Sequence, residues 1–164
     1  AIEYFEQVLA ITREIGDRRG EGNALGNLGN AYADLGETQR AIEHYEECRA
    51  VLREIGDRRG EGNALGNLGI AYAALGETRR AIEYFEQVLA ITREIGDRLG
   101  EGITSWNLGL VYETLGELAR AVELMQVCVD FERELGHADA EKHAAEVEAI
   151  RARMADPSQA GGLG

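Results

Sequence analysis

Gly20-Glu21-Gly22-Asn23-Ala24-Leu25-Gly26-Asn27-Leu28-Gly29-Asn30-Ala31-Tyr32-Ala33-Asp34-Leu35 decides how this chain folds, because its four glycines argue against the helix that its leucines ask for. Each interior glycine costs a helix about 0.5–1 kcal/mol relative to alanine, so intrinsic propensity alone rejects the segment. Laid out with about 3.6 residues per turn, the same residues separate into three stripes. Leu25, Leu28, Tyr32 and Leu35 make a core stripe. Gly22, Gly26, Gly29 and Ala33 make a smooth stripe at which a neighbouring backbone can approach closely. Asn23, Asn27, Asn30 and Asp34 make a polar stripe roughly opposite the core. The spacing predicts a helix held by tertiary packing rather than by propensity.

The flanking sequence repeats. Ala1-Ile2-Glu3-Tyr4-Phe5 returns as Ala41-Ile42-Glu43-His44-Tyr45, as Ala81-Ile82-Glu83-Tyr84-Phe85 and as Ala121-Val122-Glu123-Leu124-Met125, a period of 40 residues. Segments 1–20 and 81–100 differ only at Arg19 and Leu99, and segments 21–40 and 61–80 differ at Asn30/Ile70, Asp34/Ala74 and Gln39/Arg79. A 40-residue unit in near-identical copies implies a stacked array, not a globule around one central core. The second half of each unit is a clearer helix, with Ala41, Ile42, Tyr45, Cys48, Leu52 and Ile55 at three- and four-residue steps. Gly16-Asp17, Gly56-Asp57 and Gly96-Asp97 read as a left-handed terminal glycine followed by an N-cap aspartate. Leu35-Gly36-Glu37, Leu75-Gly76-Glu77 and Leu115-Gly116-Glu117 mark the other turn, with a carboxylate at the positive end of the next helix. Turns this short force consecutive helices to lie antiparallel. Eight helices are expected, over 1–15, 18–35, 38–55, 58–75, 78–95, 98–115, 118–135 and 137–154.

Leu28-Gly29-x-x-Tyr32, Leu35-Gly36, Ala41 and Tyr45 together resemble the tetratricopeptide-repeat signature, which recurs from Leu68 to Phe85 and again from Leu108-Gly109-x-x-Tyr112 to Ala121, with Met125 in place of the aromatic residue. The 40-residue unit is similar to those of kinesin light chains, of spindle-orientation adaptors with Leu-Gly-Asn repeats and of the C-terminal arrays of bacterial signalling ATPases. The resemblance implies an all-α fold, a right-handed superhelical solenoid of antiparallel helix pairs with a C-terminal capping helix. It also implies that the first helix of each pair lines a concave groove in which an extended peptide or protein segment binds. The expected organisation is an array over 1–135 (a half repeat plus three units), a capping helix over 136–155 and a flexible tail over 156–164. Ala1 stands at the start of a second helix with no first helix before it, as expected of a piece of a larger scaffold or sensor protein.

Charge narrows the partners. Asp and Glu outnumber Lys and Arg 30 to 17, a net charge of −13. Phosphate contacts dominate nucleic-acid affinity, so nucleic acid is not an expected partner, and anionic membrane surfaces repel the chain. No apolar run reaches the roughly 18–20 residues that span a bilayer. Two cysteines, Cys48 and Cys128, are too few for a disulfide framework and fit a reducing, cytoplasmic compartment.

No catalytic residue, cofactor or metal is expected. The serines are Ser105 and Ser158, and His44 aligns with Tyr4 and Tyr84 and reads as a helix-surface substitution. His44 and Cys48 are one turn apart, as are Asp139 and His143, but two ligands do not make a zinc site. Cys48 and Cys128 align with Val8 and Val88 and read as small packing residues. The glycines match neither G-x-G-x-x-G nor the phosphate-loop pattern.

The candidate partner-binding residues are the polar stripe and its counterparts: Asn23, Asn27, Asn30 and Asp34; Asn63, Asn67, Ile70 and Ala74; and Ile103, Trp106, Asn107, Leu110 and Thr114. A carboxamide donates and accepts at once, which matches a peptide bond. The competing reading is that Asn27, Asn67 and Asn107 bond to adjacent repeats as a ladder inside the array. The stripe runs from polar to apolar along the chain, so the expected ligand carries a polar or basic end near Asp34 and an apolar anchor near Trp106. The alternative function is a structural array that serves as a spacer or self-associates end to end through helix 1–15, whose Ile2, Phe5, Val8 and Leu9 are expected to be only partly covered.

Overall fold

The structure, a computed structural model, describes residues 1–156; of the tail expected at 156–164, all but Asp156 lies outside them. The regular structure of the described residues is entirely helical: α1 (Ile2–Ile15), α2 (Arg18–Asp34), α3 (Thr38–Glu54), α4 (Arg58–Ala74), α5 (Thr78–Ile95), α6 (Arg98–Thr114), α7 (Leu118–Leu135) and α8 (Ala140–Ala155). They gather into two compact units, residues 1–95 with α1 to α5 and residues from 96 onward with α6 to α8.

In the first unit each helix packs on the next, from α1 through α5. The turns explain why so few residues suffice between them. Gly16 takes φ 74°, and the N–H groups of Gly16 and Asp17 donate to the carbonyls of Arg13 and Thr12. That closes the end of α1 with a left-handed residue that a side chain would strain. The Asp17 carboxylate then accepts from the Gly20 N–H at 2.9 Å and opens α2. One residue thus finishes one helix and starts the next. Asp57 and Asp97 repeat the bond to Gly60 and Gly100 at the same distance. At the other turn Glu37 precedes α3 without a side-chain cap; its carboxylate pairs with Arg40 at 3.0 Å.

The glycine-rich helix forms, but its glycines do not serve backbone approach in the way the smooth stripe suggests. They make room for side chains. A Cβ added at Gly29 would stand 2.4 Å from the Tyr45 ring, one at Gly69 2.7 Å from the Phe85 ring, and one at Gly22 2.8 Å from Leu52. Leu25, Leu28 and Tyr45 are buried there, so the helix loses propensity at Gly29 and gains a packed ring on α3. His44 departs from its surface reading as well: it is half-buried and stacks on Tyr32 with ring centroids 5.2 Å apart. Tyr84 stacks on Tyr72 in the same way at 5.3 Å.

Charges mark the register between turns. Arg18 pairs with Glu21 at 2.5 Å and with Glu54, and Arg58 pairs with Glu61 at 2.6 Å and with Glu94 at 2.5 Å. Glu21 is buried, and Arg13 reaches it from α1 at 2.8 Å. These two arginines hold the Glu21 carboxyl below the usual carboxylate range, with the Arg13 hydrogen bond as the largest cause.

In the second unit α6 packs on α7 and α7 on α8, around Leu108, Met125, Val129, Val147 and Ile150. The eighth helix starts at Ala140 rather than 137. Gly136 is left-handed and closes α7, but the aspartate that follows sits three residues on, and Asp139 is in the right-handed region with no side-chain cap bond. The compressed Gly-Asp turn of the other repeats is missing, so the helix begins later. Arg133 pairs with Glu141 at 2.9 Å, and Arg153 reaches Glu113 on α6.

Candidate functional site

The polar stripe of α2 and α4 lines one cavity of about 360 Å³. Its walls are Asn23, Asn27 and Asn30 from α2 and Asn63 and Asn67 from α4. Its floor is Tyr45, Cys48 and Leu52 of α3, showing through the gap that Gly22 and Gly26 leave. Asn23, Asn27, Asn30 and Asn63 are exposed and Asn67 is half-buried. No charged side chain is among the lining residues.

Part of the polarity is used within the unit. The Tyr45 hydroxyl donates to Asn30 Oδ1 at 2.8 Å, and Asn67 Nδ2 donates to the same oxygen at 3.3 Å. One rung of the asparagine ladder therefore exists, between α2 and α4. The Cys48 thiol donates to the Gly22 carbonyl at 3.2 Å, and burial pushes its pKa up to about 11. It stays protonated at neutral pH and makes an unreactive floor. Its one-turn neighbour His44 stacks on Tyr32.

The remaining candidates fall elsewhere. Asp34 borders a second notch of about 460 Å³ with Ala1, Ile2, Glu3, Ala31 and Leu35. Ile70 and Ala74 are exposed on α4. Ile103, Leu110 and Thr114 are exposed on α6, with the Thr114 hydroxyl donating to the Leu110 carbonyl at 2.8 Å. Asn107 and Trp106 are half-buried. The Trp106 ring has a partner inside its own unit, the His143 ring of α8, with centroids 4.4 Å apart. The sequence stripe did not contain Tyr45, Cys48 or Leu52. Their place below the asparagines follows from the glycine columns once those are read as room for α3 side chains.

The uncovered face of α1 is equally plain. Ile2, Phe5 and Val8 are half-buried and Leu9 is buried, while Tyr4, Ile11 and Ile15 are 64%, 55% and 69% exposed. In the matching stretch of α5, Ile91 is buried and Tyr84 lies on Tyr72 of α4.

The tetratricopeptide-repeat family model matches residues 1–54, 41–94 and 60–134. No curated protein matches the sequence. Among solved structures, the apo form of RapI superposes with a TM-score of 0.86 at 16% identity over 97% of this chain and 45% of that one, so this chain spans under half of RapI. A putative kinesin light chain with nearly identical TPR-like repeats from Podosopora anserina gives 0.68 at 22% identity over 93% and 86%. The TPR domain of Arabidopsis FLU gives 0.68 at 20% identity over 71% and 98%. Identities this low speak to fold alone. No helix among the described residues is long and apolar enough to cross a membrane.

Proposed function

This chain belongs to the tetratricopeptide-repeat family, a protein-interaction repeat fold, and from that premise we propose that its first unit binds an extended peptide or protein segment along the asparagine face of α2 and α4. The observation that carries the reading is the cavity itself: five carboxamides converge on about 360 Å³ with no charged side chain among them. An extended chain presents unpaired N–H and C=O groups, and carboxamides answer both without asking for a particular sequence. Ile70 and Ala74 extend the α4 stripe with apolar surface on which side chains of the ligand are sorted. Ile103, Trp106, Asn107, Leu110 and Thr114 give α6 a contact surface of its own. The role is non-enzymatic and belongs in a reducing compartment such as the cytoplasm, in keeping with two buried free thiols.

The test is a peptide selected by random display on the whole chain, titrated calorimetrically into variants. Asn27→Ala and Asn63→Ala weaken binding by about tenfold each with unchanged melting temperature, roughly the 1.4 kcal/mol of one good hydrogen bond to a peptide. Asn67→Ala also removes the bond to Asn30 and so lowers stability as well as affinity. Unchanged affinity in the folded Asn27→Ala and Asn63→Ala proteins would leave the asparagines as an internal ladder only.

A second reading is favoured by one specific observation, the bare apolar face of α1 at Tyr4, Ile11 and Ile15. On this reading a second copy of the chain covers that face, the role of a structural array.

A further inference from the structure

Cys128, Glu132 and His143 each bring one ligand atom to a common point, with all three atoms within 4.8 Å of one another. Cys128 and Glu132 lie one turn apart on α7, and His143 reaches them from α8. His143 Nδ1 stands 2.7 and 2.9 Å from the two Glu132 oxygens. The thiol is buried, and the Glu132 and His143 side chains are only 13% and 22% exposed. A carboxylate this little exposed needs a polar partner, and the His143 imidazole supplies one.

The repeat columns make the same point from the sequence. Where α7 carries Cys128, the earlier units carry Val8, Cys48 and Val88; where it carries Glu132, they carry Thr12, Leu52 and Thr92; where α8 carries His143, they carry Asn23, Asn63 and Ile103. Two of the three columns hold a metal-binding residue type only here, and all three hold one together only here. Cys48 occupies the first column without the other two, and its thiol goes to a backbone carbonyl instead.

We propose that Cys128, Glu132 and His143 form a zinc site that clamps α8 to α7. A thiolate, a carboxylate and a neutral imidazole carry two negative charges, which Zn²⁺ cancels. Tetrahedral zinc holds such ligand atoms about 3.3–3.6 Å apart, so side-chain rotation opens the His143–Glu132 pair from 2.7 Å and draws in the thiol to admit the ion. Soft sulfur and imidazole select zinc over magnesium or calcium, and water takes the fourth position. Zinc binds the thiolate, so the ion displaces a proton from the Cys128 thiol on binding. The Trp106 ring packs against the imidazole, with ring centroids 4.4 Å apart.

The test uses the whole chain, stripped with a chelator and titrated with Zn²⁺ by calorimetry and with Co²⁺ by absorption. One Zn²⁺ binds per chain, the melting temperature rises, and Co²⁺ gives a thiolate charge-transfer band. Cys128→Val, Glu132→Thr and His143→Asn each install the residue that other repeats carry in the same column. Each weakens Zn²⁺ binding by about tenfold or more, and the triple variant loses the site. The Co²⁺ band on the unmodified chain reads the thiolate without relying on any variant. Zn²⁺ binding no stronger than that of the triple variant, or a Co²⁺ spectrum with no thiolate band, would reduce the cluster to a hydrogen-bonded His143–Glu132 pair and overturn the proposal.

Discussion

Gly29 and Gly66 sit on the same kind of helix, and the structure separates them sharply. A Cβ at Gly29 meets the Tyr45 ring at 2.4 Å, whereas one at Gly66 meets nothing within 4 Å. Gly29→Ala therefore forces the ring and α3 outward and destabilises the chain by about 1–3 kcal/mol, the range for overpacked cores. Gly66→Ala gains helix propensity without a clash and stabilises it by about 0.5–1 kcal/mol. Urea denaturation of both variants reads the two signs directly, and a matching sign would refute the distinction. The sequence gives both residues the same neighbours, so spacing shows that a glycine stripe exists and not which member is needed. What decides it is the shape of the partner on the next helix, a ring in one case and open space in the other. The same limit applies to His143: its one-turn neighbour Asp139 is visible in the sequence, while its side-chain partner Glu132 comes from a different helix.

Helix ends were far more legible than contacts, because each is fixed by two or three adjacent residues. Gly16-Asp17 closes and opens helices where the pattern places it, and only α8 starts late, because its aspartate lies three residues beyond the glycine. Pairing between helices is less visible. Glu21 lies in the first turn of α2, yet it is buried and receives arginines from two helices, Arg13 and Arg18. Its folded pKa is lowered, so its contribution is fully present above the unfolded value and fades as pH falls through the folded one. With an ordinary glutamate near pH 4.3, the loss begins below about pH 5. Glu21→Gln melts lower than the parent chain at neutral pH, and the gap narrows as the solution is acidified from about pH 5 to pH 3. Melting curves across that range check it; a gap independent of pH would assign Glu21 a packing role instead. Glu94, also lowered by its arginine, titrates in both proteins and cancels in the difference.

At the scale of the whole molecule, the net charge of −13 and the bare face of α1 oppose each other. Segments 1–15 and 81–95 are identical, so the same side chains appear covered in α5 and bare in α1. Tyr84 lies on Tyr72 and Ile91 is buried, whereas Tyr4 and Ile11 are more than half exposed. A second copy that offers a similar helix recovers that burial at about 25 cal/mol per Å² of apolar surface. Two chains of like charge repel, and the Debye length falls from about 30 Å at 0.01 M salt to about 8 Å at 0.15 M. On the self-association reading, association through α1 therefore strengthens with salt, the reverse of what an ion-paired interface does. Light scattering across protein concentration reads a mass that rises above one chain at 0.15 M salt and falls back toward one chain at 0.01 M. Ile11→Lys removes apolar contact while lowering the net repulsion, so a return to monomer in this variant isolates the apolar term. A parent chain that stays monomeric at every salt and concentration, or a variant that associates as well as the parent, sinks the self-association reading and leaves the asparagine face as the functional surface.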